Sequence, residues 1–165
     1  MSTSIKGLSK VPLALVVVRG AKLFDLPKIL EIEKLSFEET YPRGIFMLFL
    51  ENNPETFLVA EYEGVIIGYV MAYLKPDLEG HVMSIAVHPN YRGNGIGSTL
   101  LSEVINRLFN RGAKYVGLEV RVSNERAIRL YERFGFVKAR RIKGYYSNGE
   151  DAYYMVLPAE EWEGS

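Results

Sequence analysis

What most constrains this chain is a glycine-rich turn between a strand-like run and a helix-like run. Residues 80–87 read as a strand, and Arg92-Gly93-Asn94-Gly95-Ile96-Gly97 follows them. Residues 98–109 then place Leu100, Leu101, Val104, Ile105, Leu108 and Phe109 at helical spacing. Glycines there take positive φ and let backbone amides approach a ligand closely. The first N–H groups of the helix have no internal partner, and the dipole at that end favours an anion. A phosphate or pyrophosphate is the natural guest, although a tight strand-to-helix turn needs the same glycines. Two phosphate motifs fail on spacing. Gly97-Ser98 lacks the lysine of a Walker loop, and Gly93-x-Gly95-x-Gly97 is not Gly-x-Gly-x-x-Gly.

The flanking elements make a mixed α/β sheet. Residues 13–19 are expected as a strand, and 26–37 as a helix with Asp25 at its N-cap and Pro27 in its first turn. A break at residues 38–42 precedes a short helix over 45–50. Strand-like runs at 56–62 and 65–74 flank Glu63-Gly64, a hairpin turn. Residues 115–122 form a strand, Ser123-Asn124 caps a helix over 125–134, and Gly135 stops it. Strands over 136–145 and 153–157 close around Ser147-Asn148-Gly149. The step from strand 80–87 to strand 115–122 is parallel, across one crossover helix.

Composition narrows the classes further. At 165 residues the chain is expected to form one domain over residues 13–160, behind a loose terminus at 1–12. It buries about 70% of its unfolded surface without staples. There is no cysteine, which removes disulfides, thiolate metal sites and a thiol nucleophile. Twenty Lys and Arg balance twenty Asp and Glu, arguing against a nucleic-acid binder. Eight Arg or Lys against two Glu at residues 121–143 read as a solvated face, one that could also meet a phosphate or a ribosomal surface. No apolar run nears the ~18 residues of a membrane span, and a cytoplasmic protein is expected. His81 and His88 are too few for a metal cage, so no metal is expected.

Arg92, Gly95 and Gly97 fit Arg-x-x-Gly-x-Gly, preceded by Ile85-Ala86-Val87-His88-Pro89. Downstream stand Leu118-Glu119-Val120-Arg121-Val122-Ser123-Asn124, Leu130-Tyr131-Glu132, Phe134-Gly135-Phe136 and Gly144-Tyr145-Tyr146. In this order and spacing the chain resembles the GNAT acetyltransferases, in particular RimI-like and archaeal NatA-type N-alpha acetyltransferases, over about residues 16–157. The resemblance implies a GNAT fold in which strands 80–87 and 115–122 splay into a V-shaped cleft for acetyl-CoA. It puts the pantetheine arm on backbone near Ile85, Ala86 and Val87, and the pyrophosphate on the amides of Arg92, Gly93, Asn94, Gly95, Ile96, Gly97 and Ser98. Asn124 and Tyr131 would border the thioester.

Acetyl transfer to an amine needs a base, a polarised carbonyl and a leaving thiolate. Glu119, a charge in an apolar strand, and His81 are the candidate bases, acting through water. Pairing of Glu119 with Arg121 or Arg129 is the structural alternative. By resemblance Tyr131 is the acid for the departing thiolate. Glu38-Glu39-Thr40-Tyr41-Pro42 resembles the family's Leu-Pro-Glu-Asn-Tyr-Pro loop, in which Glu39 and Tyr41 line the pocket for the first substrate residue. Phe37-Glu38 replaces Leu-Pro, which alters that pocket. Tyr145 and Tyr146 would clamp the substrate backbone. The expected reaction is acetylation of protein N-termini such as Ser, Ala or Met-Leu starts, ribosomal proteins included, with room for an auxiliary subunit. A lysine or small-amine acetyltransferase and a non-catalytic acyl-CoA-binding module remain as alternatives.

Overall fold

The structure, a computed structural model, describes residues 10–163. In chain order its elements are β1 (Val17–Gly20), α1 (Leu26–Ser36), α2 (Arg43–Asn52), β2 (Phe57–Tyr62), β3 (Val65–Leu74) and β4 (Glu79–Val87), followed by α3 (Ile96–Asn110), β5 (Tyr115–Arg121), α4 (Glu125–Phe134), β6 (Val137–Ile142) and β7 (Ala152–Pro158). The strands form one mixed sheet ordered β1-β2-β3-β4-β5-β7-β6, parallel at β4–β5. Tertiary contacts divide the chain into two compact units, residues 10–72 with 84–104 and residues 73–83 with 105–163. Among the described residues no helix is long and apolar enough to cross a membrane.

In the first unit α1 starts where Pro27, with its fixed φ, can begin a helix without wasting an N–H. It buries Leu26, Ile29 and Ile32 along one face. From α2 the ring of Phe46 packs against Phe57 and Tyr69, each 6.3 Å away between centroids. Burying a side chain of this size contributes about 1.5–3 kcal/mol. The β2–β3 hairpin turns on Glu63 and Gly64 at φ 52° and 76°, the backbone of a type I′ turn.

Two local expectations change. Residues 13–15 form a 3-10 turn rather than strand, because Pro12 starts a tight turn in which the Leu15 N–H donates to the Pro12 carbonyl. The strand begins only at Val17. Asp25 occupies the N-cap position of α1, but its carboxylate accepts the Lys22 N–H at 2.8 Å, one turn earlier. The same buried carboxylate takes both Nη atoms of Arg19, at 2.7 and 2.9 Å. Of the loose terminus expected at 1–12, residues 1–9 lie outside the described residues. Val11 is buried and donates its N–H to Asn94 Oδ1 at 3.0 Å.

In the second unit β5 pairs with β7 along its whole length, and β7 with β6. Asn124 caps α4 by accepting the Ala127 N–H, and Gly135 ends it in the left-handed conformation. The Trp162 ring stacks on Phe134 while its Nε1–H donates to Asn106. The parallel pairing of β4 with β5 covers Glu79↔Tyr115, Gly80↔Val116 and His81↔Gly117. Beyond those pairs β4 runs on to Val87 and β5 to Arg121.

Burial raises the Asp25 pKa, but Arg19 and the Lys22 amide outweigh it and hold the carboxyl below 3.8. Its contribution to stability is therefore present above the unfolded value and lost as pH falls through the folded one. Asp25→Asn is expected to cost about 1–3 kcal/mol near pH 7. The gap to the parent should narrow as pH falls below 3.8 and through the lowered folded value, where the parent loses the same charge. Urea melts across that range check both.

Candidate functional site

Two clusters carry chemistry, one in each unit. In the first unit the loop after β4 is braced from within. The Arg92 side chain donates to the Val87 carbonyl at 2.9 Å and to the Ser36 hydroxyl at 3.1 Å. Asn94 donates to the Tyr91 carbonyl at 2.9 Å. With these side chains turned into the protein, the backbone is what the loop offers a ligand. Gly93 and Gly95 lie at φ 82° and 81°, and nothing comes within 4 Å of where a Cβ on Gly93 would sit. Ile96, Gly97 and Ser98 open α3, where N–H groups lack intrahelical acceptors. Such a cradle fits the pyrophosphate of acetyl-CoA.

Upstream along β4, half-buried Met83, Ile85 and Val87 alternate with buried Val82, Ser84 and Ala86, as expected for the strand. Glu39 and Tyr41 lie in the exposed stretch between α1 and α2. The Tyr41 N–H donates to Oε2 of buried Glu33 at 3.1 Å.

The second unit holds the acid–base candidates His81 and Glu119. His81 sits between two carboxylates, with Nδ1 2.7 Å from Glu79 Oε2 and Nε2 2.8 Å from Glu119 Oε1. Glu79 is buried and also accepts from the Tyr154 hydroxyl at 2.9 Å and Lys75 at 3.2 Å. Gly117 makes room for this. A Cβ there would stand 2.4 Å from Glu79 Oε2 and 2.7 Å from the Tyr154 hydroxyl. Burial disfavours a charged imidazole, but Glu119 and Glu79 outweigh it and raise His81 above 6.5. Burial likewise pushes Glu79 up, and its bonds to His81 and Tyr154 bring it below 4.5.

The partner of Glu119 is thus the imidazole. Arg121 pairs instead with Glu150 at 2.9 Å, and Arg129 lies 3.6 Å from Glu125. Sequence reasoning missed Glu79, although two residues before His81 on a strand puts it on the same face. It also missed Tyr154, whose role depends on the register that sets it opposite Glu119.

Tyr131 is buried on α4 with its ring 5.8 Å from Phe136, and burial pushes its hydroxyl up to about 12. Asn124 spends its side-chain oxygen on the helix cap. The strand expected over 136–145 ends at Ile142, so Tyr145 lies with Tyr146 in the loop after β6, their rings edge to face at 4.9 Å. The loop is latched where the Arg121 guanidinium stacks 3.9 Å over Tyr146 and Glu150 accepts the Ser123 N–H at 2.9 Å.

Comparison with known proteins shows the family. The family model described as acetyltransferase (GNAT) family matches residues 26–136. The chain is similar to the N-alpha-acetyltransferase of Sulfurisphaera tokodaii, 39% identical over 155 residues that cover 86% of this chain and 92% of that one. Ard1 from Thermoplasma volcanium matches with a TM-score of 0.83 at 27% identity, over 87% of this chain and 97% of that chain. A chain of the NatC complex bound to Gag peptide and CoA matches at 0.81 and 26%, over 87% and 98%. The family model over two thirds of the chain and a relative 39% identical lead to one assignment: the chain belongs to the acetyltransferase (GNAT) family, whose acetyl donor is acetyl-CoA, within its N-alpha-acetyltransferase branch.

Proposed function

We propose that this chain acetylates the α-amino group of protein N-termini, Ser, Ala and Met-Leu starts among them, by direct transfer. The observation that supports this most is the line Glu79–His81–Glu119, a proton path ending in a half-buried carboxylate. Acetyl-CoA supplies the activated acetyl group and a thiol as leaving group. The amides of residues 92–98 would hold its pyrophosphate, and the backbone of residues 85–87 the pantetheine arm; Asn124 and Tyr131 are the residues read as bordering the thioester. Without cysteine the protein has no thiol to form an acyl-cysteine.

Glu119 receives the proton of the substrate ammonium, directly or through one water, and passes it toward His81 Nε2 at 2.8 Å. Glu79 holds the Nδ1–H, which fixes the tautomer and leaves Nε2 to accept. An α-amino group titrates near 8, so an imidazole raised above its ordinary value is well matched to it. Tyr131 stays protonated at neutral pH and donates a hydrogen bond to the departing thiolate. Full proton transfer from a hydroxyl at about 12 to a thiolate, whose ordinary value is about 8.5, would be uphill, so stabilisation outweighs outright protonation. Glu39 and Tyr41 receive the first substrate residue, and Tyr145 and Tyr146 bracket its backbone. Nascent chains at the ribosome, ribosomal proteins among them, are the substrates of this reading. An auxiliary subunit fits the likeness to a chain of the NatC complex.

Release of CoA with three peptides of one body sequence tests the reaction. Free Ser and free Met-Leu starts should turn over, and a blocked start with an internal lysine should not; the reverse pattern overturns the proposal. Tyr131→Phe removes only the hydroxyl, and kcat should fall about 10- to 100-fold, the worth of one hydrogen bond to a charged group. A fall of less than about threefold removes Tyr131 from the reaction. Because neutral His81 accepts the proton, kcat rises with pH through its raised pKa. Glu79→Gln deletes one of the two charges that raise it, so the acid limb of the kcat profile should move to lower pH. A limb that stays or moves up argues against the relay.

A further inference from the structure

The first unit contains a buried acid that this mechanism does not use. Glu33, 2% exposed, lies on the inner face of α1 beside Ile29 and Ile32. A carboxylate among apolar side chains is costly unless its oxygens are hydrogen-bonded. Oε1 accepts from the hydroxyls of Tyr69 on β3 and Ser84 on β4, the latter at 2.9 Å. Oε2 accepts the Tyr41 N–H at 3.1 Å.

The two hydroxyls do not require Glu33. Tyr69 Oη and Ser84 Oγ are 2.9 Å apart, so one can donate to the other if the carboxylate is removed. What such a change takes from Tyr41 is its bond into the core. Residues 37–42 are exposed along their whole length; the Phe37 N–H donates to the Glu33 carbonyl at 3.0 Å where α1 ends, and four residues on the Tyr41 N–H donates to the buried Glu33 side chain. Ser84 immediately precedes Ile85 on β4. One carboxylate therefore ties the stretch carrying Glu39 and Tyr41 to the strand that leads into the acetyl-CoA loop.

We propose that Glu33, held by Tyr69 and Ser84, is a positioning residue that sets the place of Tyr41 and thereby selects the first residue of the substrate. This rests on the reading that Glu39 and Tyr41 receive that residue. The role is separate from the proton path, since Glu33 acts through its bond to the Tyr41 backbone and touches none of Glu79, His81 or Glu119 in the hydrogen bonds it makes.

The test compares Glu33→Met, which keeps length and loses both acceptors, with Glu33→Gln. In the glutamine variant the amide oxygen accepts the Tyr41 N–H, and its NH2 donates to the two hydroxyls. For Glu33→Met the peptide KM should rise about tenfold while the acetyl-CoA KM stays within about twofold, as expected when one partner of a buried bond is lost. The ratio of turnover on Ser to Met-Leu starts should shift at least about fivefold, and Glu33→Gln should return all three to within about threefold of the parent. A folded Glu33→Met with unchanged peptide KM and start ratio overturns the proposal, and so does an equal rise in both KM values. Where Glu33→Met fails to fold, Tyr69→Phe decides: a rise of about threefold in peptide KM alone supports the anchor, and no change overturns it. Hydrogen exchange at the Tyr41 amide reads the anchor without activity. Faster exchange in Glu33→Met supports it and unchanged exchange overturns it, even where the parent acetylates no free N-terminus and the N-terminal reading itself fails.

Discussion

The short parallel pairing of β4 with β5 is the constraint on which the chemistry depends. It places His81 opposite Gly117, the last pair of that register, so the imidazole meets Glu119 two residues further along β5. Gly117 contributes an absence of side chain. The space where its Cβ would stand is filled by the Glu79 carboxylate and the Tyr154 hydroxyl. Any side chain there would force one of them away and leave the Nδ1 face of the histidine without its acceptor. The charge state of the imidazole thus follows from strand register and one missing methyl.

Three acids are buried among the described residues, and each is satisfied in a different way. Asp25 has a guanidinium and serves stability at the entry to α1. Glu79 has an imidazole, a phenol and a lysine, which suits a group that must hold a neighbour's proton in one place. Glu33 has two hydroxyls and a backbone amide, which suit a group that ties a loop to the strands beneath it. A buried ion pair is weak evidence of stability by itself. What separates the three is the partner each one holds: a guanidinium at a helix entry, an imidazole between two strands, or the amide of an exposed loop.

Elements with local causes were legible in the chain. Glu63-Gly64 can adopt two positive φ values, so the hairpin followed. The cap and stop of α4 are Asn124 and Gly135, both readable because their bonds lie within four residues. Legibility failed where a nearby residue competed. Pro12 turned Leu13-Ala14-Leu15, the start of the expected strand, into a 3-10 turn, and the Lys22 amide drew Asp25 away from the helix it was expected to cap. At the site, Glu119 and His81 stood out as polar residues in strands. Glu79 passed unnoticed because an acid at a strand start resembles an ordinary exposed one until the fold buries it.

The sequence alone determined the glycine loop, the helix that opens behind it and the absence of thiol chemistry, since each depends on residue type and near neighbours. Tertiary structure decided the partners: that Glu119 meets His81 and not Arg121, that Tyr154 reaches Glu79, and that Glu33 holds Tyr41. Those pairs lie between 8 and 75 residues apart along the chain. A side chain with several eligible partners of the right chemistry acquires one only when strand register and burial remove the others.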